Sequence, residues 1–166
     1  MEGKGRITGH TGLLALIGSP VGHSGSPAMY NYSFEKLGLD YAYVAFDIKV
    51  EEVKAALDAM RLFHMRGCNV TMPCKTEAAK YMDELSPAAR IIGAVNTIVN
   101  EDGKLIGHMT DGEGFVGNLR DHGIEIKGKK ITVAGGGGAA TAIQVQCALD
   151  GAREISIFNI KDDFFA

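Results

Sequence analysis

Residues 129–158 read KKITVAGGGGAATAIQVQCALDGAREISIF, and no other segment restricts the fold as tightly. The apolar run at 131–134 predicts a strand, and four consecutive glycines end it. Small residues then predict a closely packed helix, and EISIF at 154–158 predicts a second strand. Such a βα unit does not make a complete sheet domain alone. The glycines let the backbone turn tightly and approach a bound group, while the helix N-terminus offers free N–H groups and a favourable dipole. Strand, glycine turn and helix in this order are the context a dinucleotide fingerprint requires. The pattern is GxGGxx rather than GxGxxG, with Ala140 at the third small position. A glycine turn without a ligand is the competing reading.

An acidic group near the end of the second strand would bind an adenosine ribose diol. Asp162 and Asp163 are candidates, a little beyond the usual spacing of about 20 residues. Lys161 is the nearby cation, beside two acids. This charge leans to NAD over NADP.

Net charge is -3, and no basic block suggests nucleic acid or an anionic membrane as partner. No apolar run has the length of a membrane span, and MEGKGRITGHTG is too polar for a secretory signal. Cys68, Cys74 and Cys147 are scattered, without metal-ligand spacing, and the histidines form no metal-ligand group. No metal site is expected, and a reducing cytoplasm is the expected compartment.

Ahead of the glycine turn, strands are expected at 13–17, 41–46, 67–71, 94–99 and 104–106. Helices are expected at 27–37, 50–63, 76–82, 87–92 and 115–122. Ser26 and Pro27 read as a helix start, with a capping hydroxyl followed by proline at the first helical position. Glu101-Asp102-Gly103 marks a hairpin-like turn. The fold class is α/β: a three-layer α/β domain over 1–110, then a linking helix and a truncated Rossmann-like unit over 111–166.

Three polar clusters interrupt this frame. Ser24 and Ser26 precede a helix, where a serine either caps it or helps to hold a small carboxylate; the cap is the favoured reading for Ser26. In GCNVTMPCK, Lys75 follows a strand end, where α/β enzymes place ligands. A helix start is unfavourable for its charge, so another interaction is expected to hold it. GAVNT contains Asn96, and HMTDGEGF contains Asp111. Asp111 either caps the next helix or pairs with Lys75 as a proton-transfer pair.

Together these segments resemble the shikimate/quinate dehydrogenase family, in order, from residue 14 to 165. GSPVGHSGSPAMYN is similar to its substrate-carboxylate motif, NVTMPCK to its catalytic lysine motif, GAVNT and TDGEGF to its next substrate motifs, and GGGGAA to its nucleotide turn. The resemblance implies that Ser24 and Ser26 hold the substrate carboxylate, and that Thr71, Asn96 and Asp111 bind ring hydroxyls. It implies Lys75 and Asp111 as the acid/base pair. Gly135, Gly137, Gly138 and Ala139 would line the cofactor pyrophosphate, with Asn159, Lys161 and Asp162 at its adenosine end. FNIKDDFF resembles the NAD-using branch more than the NADP branch. Met109 stands where the family usually has Asn, Gly136 where Ala is common, and Lys161 where the related branch often has Arg.

The implied activity is reversible hydride transfer from NAD(P)H to C3 of 3-dehydroshikimate, extending to the quinate pair. By this resemblance the chain is the front part of a longer cytoplasmic enzyme, a homodimer by expectation. Residues 1–166 alone are expected to show little or no catalysis. The competing class is a noncatalytic small-carboxylate-binding module using the Ser24/Ser26 pocket. Glutamyl-tRNA reductase-like chemistry lacks its cysteine context here.

Overall fold

The computed structural model describes residues 7–159. The chain divides into two compact units, Met1–Glu84 with Ala94–Gly107, and Leu85–Gly93 with His108–Ala166.

The first unit is built on a sheet of order β2-β1-β3-β5-β6-β4. Strand β1 (Gly12–Gly18) lies between β2 (Tyr41–Asp47) and β3 (Gly67–Val70), parallel to both. Leu14 is level with Tyr43, and Leu16 with Asn69. Side chains alternate across the sheet, so these four residues share one face. Helix α1 (Ser26–Leu37) covers that face, where Phe34 and Tyr30 join Leu16, Val21 and Tyr43 in an apolar cluster. On the opposite face Leu13, Ile17 and Cys68 line a cavity of about 350 Å³ with Leu57 and Met60. The last two belong to α2 (Val53–Leu62), whose apolar stripe of Val53, Leu57 and Met60 is buried. Helix, sheet and helix make the three layers.

The helix expected over 50–63 is divided. Val50–Glu52 is a 3-10 turn, in which the Lys49 N–H donates to the Glu52 carboxylate at 2.9 Å, and α2 follows. The expected helix at 76–82 is α3 (Lys75–Ala79), which begins one residue earlier and ends sooner.

Strand β5 (Thr97–Glu101) runs antiparallel to β3, and β6 (Lys104–His108) returns beside it. Asp102 and Gly103 join them with φ of 51° and 96°. Positive φ at both positions is the primed turn that an Asp-Gly pair favours, because its twist matches that of the strands. The two-residue β4 (Glu84–Leu85) has no counterpart in the sequence reading. Its anchor is Asp83, whose N–H donates to the Leu105 carbonyl and whose carboxylate accepts the Leu105 N–H at 2.7 Å.

The second unit contains α4 (Pro87–Ile92), α5 (Asp111–Asp121), β7 (Lys130–Ala134), α6 (Gly138–Leu149) and β8 (Glu154–Phe158). Ser86 caps α4 by accepting the Ala89 N–H. β7 and β8 are parallel, with Ile131 level with Ile155, and α6 crosses between them. Val116, Ile126 and Cys147 form the core of this unit. Gly112 of α5 meets the Ala142 carbonyl of α6 with no room for a Cβ. Helix α5 begins at Asp111 rather than 115, and α4 groups with this unit, not with the first as a 1–110 boundary places it. No helix among the described residues is long and apolar enough to cross a membrane.

Candidate functional site

β1 and β3 end side by side, and the backbone beyond them is tied into one surface. Thr71 N–H donates to Ile17 O at 2.9 Å, Ser19 N–H to Met72 O at 3.0 Å, and Ile48 N–H to Gly18 O at 3.0 Å. Gly18 has φ 149°, and a Cβ there would fall 2.8 Å from Met72 O. Only glycine lets the two strand ends approach in this way. Both chains then turn through cis peptide bonds, Ser19–Pro20 and Met72–Pro73.

The first polar segment begins from this surface. Val21 O accepts the Ser24 N–H, and the Ser24 hydroxyl accepts the Ser26 N–H at 3.2 Å. Ser26 is the first residue of α1 and Gly25 its N-cap, without a side-chain cap. The expectation that the Ser26 hydroxyl caps this helix is therefore corrected: the helix starts one residue earlier, and Ser24 takes up the local N–H.

The second segment follows β3. Thr71 O accepts the Cys74 N–H, and Lys75 opens α3. The Lys75 carbonyl accepts the Val95 N–H at 3.0 Å, which joins the lysine segment to the residues before β5. Asn96 follows, 9% exposed, and its carbonyl accepts the Val70 N–H at 2.8 Å. Because β5 runs antiparallel to β3, Asn96 falls at the end of β3 where Thr71 and Lys75 lie. Ser24, Ser26, Thr71, Lys75 and Asn96 therefore share one end of one sheet, where the strands' loops converge.

The surroundings tune this end. Burial, and then the Glu51 and Glu52 charges, push the Cys74 thiol up. This keeps it a neutral core group rather than a nucleophile. In α3 the Glu77 carboxylate accepts from Lys80 at 2.6 Å and from the Tyr81 hydroxyl at 3.0 Å, and these bonds hold it below its ordinary value.

Asp111 belongs to the second unit, as the first residue of α5; Thr110 is the N-cap and provides no side-chain cap. In the same unit Gly135 has φ 115° and donates its N–H to Phe158 O at 2.7 Å, closing the turn onto β8. Gly137 is the N-cap of α6 without a side-chain cap, and Gly138 and Ala139 form its first turn. A Cβ at Gly135, Gly137 or Gly138 would meet nothing within 4 Å, so the turn backbone is open to an approaching group. At Gly136 a Cβ would lie 2.6 Å from the Asn159 amide nitrogen, so Asn159 stands over the turn. An open glycine turn leading into a 12-residue helix, with a polar side chain at the next strand's end, fits a dinucleotide pyrophosphate. Lys161, Asp162 and Asp163 lie outside the described residues.

Residues that the sequence reading did not single out stand behind the first cluster. The Tyr43 hydroxyl donates to Asn69 Oδ1 at 2.8 Å, and Asn69 Nδ2 donates to Thr97 Oγ1 at 3.2 Å. An amide at an inward position of an apolar strand, GCNV, was the available signal.

Residues 16–98 match the model of the shikimate dehydrogenase substrate binding domain. The chain belongs to this family. Across 161 residues it is 57% identical to a protein of Listeria monocytogenes named shikimate dehydrogenase (NADP(+)), covering 97% of this chain and 55% of that one. A Streptococcus uberis protein of the same name is 54% identical over 163 residues, covering 97% of this chain and 55% of its own. A solved shikimate 5-dehydrogenase from Listeria monocytogenes, in complex with shikimate and NAD, superimposes with a TM-score of 0.94 at 56% identity, covering 97% of this chain and 56% of that one. The chain thus spans about 55% of the length of the curated relatives it matches.

Proposed function

We propose that the chain supplies the substrate-binding domain, built on Met1–Glu84 with Ala94–Gly107, and the opening of the dinucleotide-binding domain, which takes in Leu85–Gly93 with His108–Ala166, of an NAD(P)-dependent shikimate dehydrogenase. The observation that carries this reading is the gathering of Ser24, Ser26, Thr71, Lys75 and Asn96 at one sheet end, inside the segment matched by the family. Ser24 and Ser26 hold the shikimate carboxylate, remote from the reacting carbon, so binding there fixes orientation. Thr71, Asn96 and Asp111 bind ring hydroxyls. Gly135, Gly137, Gly138 and Ala139 hold the pyrophosphate, and Asn159, Lys161 and Asp162 serve the adenosine end.

Bound NADH or NADPH supplies the hydride to the C3 ketone of 3-dehydroshikimate. Lys75 and Asp111 supply and hold the proton at the C3 oxygen as it becomes a hydroxyl, and the Lys75 charge stabilises oxyanion character there. The lean to NAD is not supported: the curated relatives are named for NADP(+), and the solved relative holds NAD. Either dinucleotide serves this reading, and quinate is the second substrate to test.

The test is a steady-state assay of the full-length gene product with shikimate and quinate, each with NAD and NADP. Turnover of shikimate with at least one dinucleotide is expected; no turnover with any pair refutes the reading. Lys75→Ala is expected to lower kcat by about 100-fold or more, the usual scale of a lost acid/base group, with the fold intact. Near-wild-type turnover removes Lys75 from its role.

A further inference from the structure

Asn69 is out of place for a residue that only fills a sheet. It sits in β3 between Cys68 and Val70, both buried, on the face that α1 covers. Its amide is used at both ends. Oδ1 accepts the Tyr43 hydroxyl at 2.8 Å, while Nδ2 donates to Thr97 Oγ1 at 3.2 Å and, at longer range, to Asn96 O at 3.4 Å. The Asn96 carbonyl also receives the Val70 N–H at 2.8 Å. The peptide joining residues 96 and 97 is therefore held from two successive residues of β3. One residue earlier, Val95 N–H is fixed to the Lys75 carbonyl.

The far end of this chain of bonds is equally constrained. Tyr43 lies on β2, with β1 between it and β3, so its phenol reaches across a strand to find Asn69. Two things aim it. Asn31 of α1 grips the Tyr43 backbone from both sides, accepting its N–H at 3.0 Å and donating to its carbonyl at 2.7 Å. Tyr30, also of α1, stacks on its ring at 4.5 Å between centroids. Burial, then the neighbouring Tyr30 and Cys68, raise the Tyr43 phenol above its ordinary value, so it remains a neutral donor. The helix that starts at Ser26 is thus linked through Tyr43 and Asn69 to the segment that carries Asn96.

We infer that Tyr43 and Asn69 are positioning residues, which set Asn96 relative to the Ser24–Ser26 turn so that both ends of one substrate are met at once. This rests on the shikimate reading above. Neither residue touches the reacting atoms; both act through Asn96.

The test uses the full-length protein and shikimate, with Tyr43→Phe, Thr97→Val and Asn96→Ala made singly and as Tyr43→Phe/Asn96→Ala and Thr97→Val/Asn96→Ala. Tyr43→Phe removes one hydroxyl and keeps the ring stack. Loss of one hydrogen bond sets the scale, so kcat/KM is expected to fall by about 5-fold, chiefly through KM. Thr97→Val, which removes the acceptor at the other end of Asn69, is expected to fall by a similar factor. In the Asn96→Ala background either substitution is expected to change kcat/KM by less than about 2-fold, because residues acting through a shared partner are not additive. The same fold-loss with and without Asn96, or no loss at all, overturns the inference, because a purely structural role predicts equal effects in both backgrounds. If Tyr43→Phe does not fold, the phenol belongs to stability and its positioning role is overturned, while the Thr97→Val cycle still decides Asn69. A wild-type enzyme inactive on shikimate refutes the proposed function instead.

Discussion

Helix α5 carries three glycines with different surroundings, and substituting each with alanine separates close packing from backbone preference. A Cβ on Gly112 would collide with the Ala142 carbonyl oxygen and lie 2.9 Å from its carbon and 2.8 Å from Gln146 Cβ. Two of these three neighbours are backbone atoms of α6, so no rotamer change relieves the clash and a helix must shift. Such overpacking costs about 1–3 kcal/mol. At Gly114 and Gly117 a Cβ would meet nothing within 4 Å. There only the helix preference remains, worth about 0.8–1.0 kcal/mol in favour of alanine in a helix interior. All three substitutions restrict the unfolded chain equally, so that contribution cancels between variants. Gly112→Ala is expected to fall below Gly117→Ala by about 1–3 kcal/mol, the overpacking cost. Gly114→Ala and Gly117→Ala are expected to stabilise. The chain has no tryptophan, so urea unfolding followed by far-UV circular dichroism is the suitable measurement. If Gly112→Ala unfolds at the same urea midpoint as Gly117→Ala, or above it, the close approach of α5 and α6 is refuted.

Leu57 is 1% exposed, and Leu57→Ala is expected to destabilise by about 2–5 kcal/mol, the range for emptied core sites; an unchanged urea midpoint would refute its burial. The Leu105 N–H and then Arg61 hold the Asp83 carboxyl below its ordinary value. Its contribution is therefore present above the unfolded carboxyl pKa of about 3.9 and lost as pH falls through the lower folded value. Asp83→Asn is expected to flatten the acid limb of a stability–pH profile, and an unchanged limb would refute the linkage. Burial pushes the Cys68 thiol up to about 12. A Cys68-only variant, with Cys74→Ser and Cys147→Ala, is expected to react with a thiol reagent only after denaturant is added; rapid native-state labelling would contradict this.

Local chemistry made much of this architecture readable from the sequence. Asp102-Gly103 supplied the positive φ values that a tight hairpin needs, and the glycine run between two apolar segments marked the βαβ unit. What the sequence concealed depends on partners distant in the chain. Strand β4 is two residues long and exists because Asp83 binds Leu105 on a strand that comes later. Ser26 looked like a cap because serine followed by proline is a good local signal, but the Ser24 hydroxyl takes the N–H one step earlier. Asn96 could be named from its motif, whereas the Tyr43–Asn69 link behind it could not, because sequence gives no sign that a phenol reaches over a neighbouring strand.

The two units are not consecutive stretches of chain. Helix α4, at Pro87–Ile92, belongs to the second unit, yet its coding sequence interrupts that of the first between residues 84 and 94. A gene fusion cut at residues 107 and 108 would carry away the glycine turn and leave α4 behind. The glycine-turn unit is therefore not a transferable cassette. Recombination between relatives at that junction would produce chimeras in which α4 comes from one parent and its partner α6 from the other. The interface between these two helices, rather than the junction peptide, would then decide which chimeras survive.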